Sequence, residues 1–125
     1  MENKKKILIV EDDMFIRDIY QVKFTQEGFE VVVAENGIVA LEKMKDFFPD
    51  IILLDVMMPY LNGMETLRAI KAQEDLKHIP IMMLTNISEK ENVIEGQELG
   101  VDSYLIKANF TPSEVVSKVK ALLKI

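Results

Sequence analysis

Ile51-Ile52-Leu53-Leu54-Asp55-Val56-Met57-Met58-Pro59 is the stretch on which the reading of this chain turns. Its first four residues are all large and aliphatic, with no polar alternation, which predicts a strand covered on both faces. The run then stops at a carboxylate. Ile7-Leu8-Ile9-Val10 behaves in the same way and ends in Glu11-Asp12-Asp13. If the two strands are parallel neighbours, their acids meet at one rim. Such a cluster is tolerable when a divalent cation neutralises it or when one acid is modified.

Working outward, three more strands are predicted at Glu30–Ala34, Ile81–Leu84 and Ser103–Ile106. Helix spacing fills the gaps between them. Ile16, Ile19, Tyr20 and Phe24 mark the first helix, with Ile16 and Ile19 expected to face the core, and Leu41, Met44 and Phe48 mark the second. Leu67 and Ile70 mark the third, Val93, Ile94 and the region of Leu99 the fourth, and Val115, Val119 and Leu122 the last. The punctuation agrees. Thr111-Pro112-Ser113-Glu114 reads as an N-cap, a first-turn proline and a capping-box acid, and Ser88-Glu89-Lys90-Glu91 repeats the box without the proline. Gly28 and Gly100 fall where helices should end in a left-handed residue. The alternation implies an α/β fold with a doubly wound, five-stranded parallel sheet. Order 2-1-3-4-5, the flavodoxin-like (βα)5 arrangement, places the switch in strand order between the first and third strands.

A length of 125 residues suits one domain, expected to span residues 1–125 with no output domain. A charged content of 29% with 49% hydrophobic residues excludes a disordered chain. Without cysteine there is no thiolate ligand or nucleophile. The net charge of −6 argues against direct nucleic-acid binding, which needs a basic surface. No apolar stretch is long enough to span a membrane, and the start lacks a signal-peptide core, so a cytoplasmic location is expected.

Ligands of such sheets bind beyond the strands' carboxyl ends. The fourth strand ends there in Thr85 and the fifth runs into Lys107. The expected rim therefore combines carboxylates, a hydroxyl and an ammonium, which suits phosphoryl transfer to a carboxylate. Asp55 is the expected nucleophile, forming an aspartyl phosphate. Asp12 and Asp55 would hold a hard cation, with Glu11 reaching it through water. Mg2+ fits because it keeps waters and accepts few protein ligands. Lys107 would pair with one phosphoryl oxygen and Thr85 would hydrogen-bond another. Asp13 is read as a helix cap, Met57, Met58, Met64, Met82 and Met83 as core filler and His78 as a surface residue. Met14 and Phe15, which open the first helix beside the rim, suit docking of a partner helix.

With these motifs the sequence resembles the receiver domain of two-component response regulators over essentially its whole length. The resemblance is carried by Ile7 to Asp13, by Leu54-Asp55-Val56-Met57-Met58-Pro59 with Asn62-Gly63, by Pro80 to Thr85, and by Gly100 to Lys107. It implies a phosphorylation-activated switch of a phosphorelay. Asp55 would be the phosphoacceptor, Glu11 and Asp12 the acidic pair, and the Met57 backbone carbonyl a metal ligand. Thr85 would be the switch hydroxyl, Tyr104 the switch aromatic and Lys107 the phosphate-pairing lysine. A sensor histidine kinase or histidine phosphotransfer protein would be the donor. The face of the fourth helix, fifth strand and fifth helix would then engage a downstream protein effector.

Two positions depart from that pattern: Ala108 stands where proline follows the lysine, and Asn86 where a small residue is usual. A cis bond before a non-proline costs roughly 2.5–4 kcal/mol, so either such a bond persists or the loop after Lys107 is rearranged. Three other readings are available. The chain is a receiver fragment of a larger DNA-binding transcriptional regulator, a phosphatase of the haloacid-dehalogenase type, or a flavodoxin-like flavin carrier. The phosphatase would need a second aspartate two residues after the nucleophile, where Met57 stands. The flavin carrier would need a hydroxyl- and glycine-rich loop where Glu11-Asp12-Asp13 stands.

Overall fold

Each apolar run divides its side chains between two layers, which is why none of them alternates with polar residues. Leu8, Val10, Ile52, Leu54, Ile81 and Met83 pack on one side of the sheet, and Ile7, Ile9, Ile51, Leu53, Met82 and Leu84 on the other. The structure is a computed structural model. It describes residues 4–56, 58, 60–85, 94 and 96–125, with Thr85 described by its main chain alone.

Strands β1 (Lys6–Val10), β2 (Glu30–Ala34), β3 (Ile51–Leu54), β4 (Ile81–Thr85) and β5 (Ser103–Ile106) form one parallel sheet in the order β2-β1-β3-β4-β5. Helices α1 (Met14–Gln26) and Pro112–Leu123, the C-terminal helix, cover one face through Tyr20, Phe24, Val115, Val116 and Val119. Helices α2 (Gly37–Lys43) and α3 (Gly63–Lys71) cover the other through Ala40, Leu67 and Ile70, joined by Met44 at the C-cap of α2. Residue 94 and residues 96–98 are also helical, preserving the alternation between β4 and β5. Burying a side chain of this size contributes about 1.5–3 kcal/mol. Cutting the fully buried Leu67 back to alanine costs about 2–5 kcal/mol because a cavity remains.

The helix ends follow the local sequence. The Asp13 carboxylate accepts the Ile16 N–H at 3.1 Å and caps α1. The Thr111–Glu114 capping box is formed in both directions, with Pro112 in the first turn. Gly28 (φ +91°) and Gly100 (φ +85°) take the left-handed positions expected of them. The box at residues 88–91 and the departure at Asn86 lie outside the described residues.

One expectation of burial, for Ile19, and one of helix extent, for Phe48, are corrected. Ile19 is 51% exposed, because the core stripe of α1 runs through Ile16, Tyr20 and Phe24 and leaves Ile19 about 100° around the helix from Tyr20. Phe48 is 52% exposed, because α2 ends at Lys43 and the chain turns before Phe48 reaches the sheet; Phe47 packs there instead. In the fourth helical segment Ile94 is exposed, while Val93 lies outside the described residues. His78 is on the surface, and Met44, Met64, Met82 and Met83 are core residues.

Candidate functional site

Register brings the acids together. Val10 of β1 pairs with Leu54 of β3, so Glu11 and Asp55 are the next residues on adjacent parallel strands. The ladder continues past both strand ends: the Asp55 N–H donates to the Val10 carbonyl and the Glu11 N–H to the Ala34 carbonyl, each at 3.0 Å. These bonds hold the bases of the two carboxylates rigidly side by side. Glu11 and Asp55 are buried and Asp12 is exposed. One ligand oxygen from each of Glu11, Asp12 and Asp55 lies within 4.8 Å of the others.

Lys107 follows β5 directly and reaches across β4 to the same rim. Its Nζ lies 2.5 Å from Glu11 Oε2 and 3.4 Å from Asp55 Oδ2, with the side chain only 9% exposed. The loop after β5 is the rearranged one. No cis peptide bond occurs among the described residues, and Lys107–Asn109 forms a single 3-10 turn. Ala108 therefore does not keep Lys107 from the acids. Burial pushes the Glu11 carboxyl up to about 7, and the nearby Asp55 charge adds to the rise, against the opposing pull of Lys107. Tyr20, buried beneath the rim, is pushed up to about 12 by burial and secondarily by Glu11.

Two contacts here have no signal in the sequence. Arg17 Nη1 donates to the Glu11 carbonyl oxygen at 3.1 Å, tying α1 to the end of β1. The Glu11–Lys107 ion pair is the second, joining residues far apart in the chain. Tyr104 pairs in register with Met83 and is partly buried against the layer of α2 and α3, on the face opposite Leu105. Met14 and Phe15 are 61% and 79% exposed at the start of α1. Met57 and the Thr85 side chain lie outside the described residues, although the Thr85 main chain ends β4 opposite Ile106.

A sheet of this order, with carboxylates at its switch point and a lysine across from them, defines a class of flavodoxin-like fold. Solved structures share it. The chain is similar to the chemotaxis protein CheY4 of Vibrio cholerae, with a TM-score of 0.89 and 32% identity over 95% of this chain and 98% of that one. It is similarly close to a CheY-like receiver domain protein of Methanospirillum hungatei, with a TM-score of 0.89 and 30% identity over 98% and 95% of the two chains. The family profile described as "Response regulator receiver domain" matches residues 7–120, and the chain belongs to that family.

Among curated relatives, the phosphate regulon transcriptional regulatory protein PhoB of Pseudomonas aeruginosa is 42% identical over 120 residues, which are 96% of this chain and 52% of that protein. The probable transcriptional regulator ycf27 of Cyanophora paradoxa is 39% identical over 122 residues, 98% of this chain and 49% of that protein. The chain thus spans about half the length of these relatives. It is a response-regulator receiver of the two-component type, a signalling family rather than a family of phosphatases or flavin carriers. No described helix is long and apolar enough to cross a membrane.

Proposed function

We propose that Asp55 receives a phosphoryl group from the phosphohistidine of a sensor histidine kinase or phosphotransfer protein, and that the resulting charge switches a protein-binding surface. The observation that carries this reading is the placement of Lys107 Nζ between the buried carboxylates of Glu11 and Asp55. An Asp55 oxygen attacks phosphorus, the bond from phosphorus to the donor nitrogen breaks, and the imidazole leaves with the electron pair. Lys107 is close enough to exchange its carboxylate contacts for an equatorial phosphoryl oxygen.

The oxygen-only donor set of Glu11, Asp12 and Asp55 fits a hard cation, and Mg2+ is the proposed one. Bound there, Mg2+ supplies charge neutralisation for the transferring group. Proposed alongside are the Met57 carbonyl as a further ligand, Thr85 and Tyr104 as the switch pair, and Met14 and Phe15 as the docking point for a partner helix. The chain would catalyse only its own phosphorylation and dephosphorylation, in the cytoplasm, and engage a downstream protein effector without contacting nucleic acid itself. Mg2+-dependent, acid-stable and base-labile labelling by a small phosphodonor tests this; retention of the label by Asp55→Asn would overturn it.

A second reading has its own support. The curated relatives are named transcriptional regulators and are about twice as long, which favours a receiver that works within a longer DNA-binding protein. Similarity to nearly the whole of the Vibrio protein favours a receiver standing alone over residues 1–125. Whether the reading frame continues past Ile125 distinguishes the two.

A further inference from the structure

We infer that Gly63 is a positioning residue for the phosphoacceptor, setting the place of Asp55 by the absence of a side chain. The inference rests on the proposed role of Asp55. A Cβ on Gly63 would overlap the Asp55 carbonyl oxygen and lie 2.6 Å from the Val56 Cα and 2.8 Å from the Asp55 carbonyl carbon, all inside the 3.0 Å that Cβ atoms essentially never cross. The obstructing atoms are backbone, so no rotamer change relieves the overlap.

Neither side yields easily. On one side the Asp55 N–H is bonded to Val10, and Val56 is 4% exposed. On the other, the first turn of α3 is fixed by the reciprocal Asn62–Glu65 capping box and by Thr66 Oγ1, which donates to the Asn62 carbonyl at 2.8 Å. Met64, Thr66 and Leu67 are all buried, so α3 cannot move outward without opening the core. Between the two sides the Gly63 N–H donates to the Val56 carbonyl at 2.9 Å. The start of α3 is thus in direct main-chain contact with the residue that carries the nucleophile. Helix propensity alone favours alanine over glycine within a helix, so a loss on substitution here would be steric.

The test compares Gly63→Ala with wild type and with Gly28→Ala. Gly28 is left-handed, has nothing within 4 Å of its notional Cβ, and precedes β2 at the opposite end of the sheet. For each protein the thermal midpoint, the Mg2+ dissociation constant and the labelling rate by acetyl phosphate at saturating Mg2+ are measured. Both variants should be destabilised. Gly63→Ala alone should lose labelling rate, by about tenfold to a hundredfold, as expected when a reacting atom is displaced by up to an ångström. Gly28→Ala should label within about twofold of wild type, since its strain is local.

Wild-type labelling by Gly63→Ala, or an equal slowing in Gly28→Ala, overturns the inference. An unlabelled wild type instead overturns the proposed function, and the inference with it. Should Gly63→Ala not fold, the amide resonances of the wild type decide. The Gly63 amide should shift on addition of Mg2+ while those of Gly28 and Gly100 stay fixed, and an unmoved Gly63 amide is the contrary result.

Discussion

The two ends of the sheet use the same residue types for opposite purposes. At the end where the strands begin, Asp50 Oδ2 accepts the Lys6 N–H at 2.7 Å and Asp102 Oδ2 accepts the Ile81 N–H at 2.9 Å. Each carboxylate there completes the hydrogen bonding of a neighbouring strand's first residue, a local structural duty. At the end where the strands finish, Glu11, Asp12 and Asp55 are crowded together with Lys107. Position at the carboxyl rim and mutual proximity, rather than residue type, separate the acids proposed to hold a cation from those that complete a strand's hydrogen bonding. A buried cluster with a raised carboxyl is costly for folding and useful for binding a cation.

The largest difference between the two ends should come from removing the proposed nucleophile. Asp55→Asn is expected to abolish phosphoryl labelling, read as loss of the labelled band or mass increment, while the fold persists by circular dichroism. Lys107→Ala comes next. It deletes the buried cation proposed to face the transferring group, and the labelling rate at saturating Mg2+ should fall by about a hundredfold to a thousandfold.

A smaller effect concerns pH. The Glu11 carboxyl is raised from 4.5 to about 7, so between those values the folded protein holds a proton that the unfolded chain releases. Its contribution to metal-free stability is therefore full below pH 4.5 and lost as pH rises toward 7. Binding of the proposed cation would displace that proton, so Mg2+ affinity should weaken by up to about tenfold per unit as pH falls below 7. Titrations of Glu11→Gln should show a flatter profile; a slope equal to wild type would assign the proton elsewhere. The smallest effect belongs to the other end. Asp102→Ala should cost about 1 kcal/mol in denaturant unfolding, through the lost Ile81 bond, and leave labelling unchanged.

Much of this is legible in the sequence. The uninterrupted runs Ile7–Val10 and Ile51–Leu54 announce strands covered on both sides, because a half-exposed strand would alternate. The same runs place Glu11, Asp12 and Asp55 at one end of the sheet once the strands are parallel. The caps at Asp13 and Thr111 are equally local, since each depends on residues within one turn. Less legible are Ile19, given to the core but exposed, and Phe48, given to the second helix but lying beyond its end. Spacing fixes the angle between residues on a helix, but not which angle faces the sheet or where a short helix stops.

The sequence by itself determined the alternation of elements, the sheet's two-sided burial and the identity of the acids and lysine, because these follow from local pattern and from strand polarity. Only the tertiary structure decided that Lys107 crosses β4 to pair with Glu11 as well as Asp55, and that the Ala108 loop turns as a trans 3-10 segment. It alone shows that Gly63 is packed against the main chain of Asp55. Those are distances between segments remote in sequence, set by how the layers pack, and no local propensity encodes them.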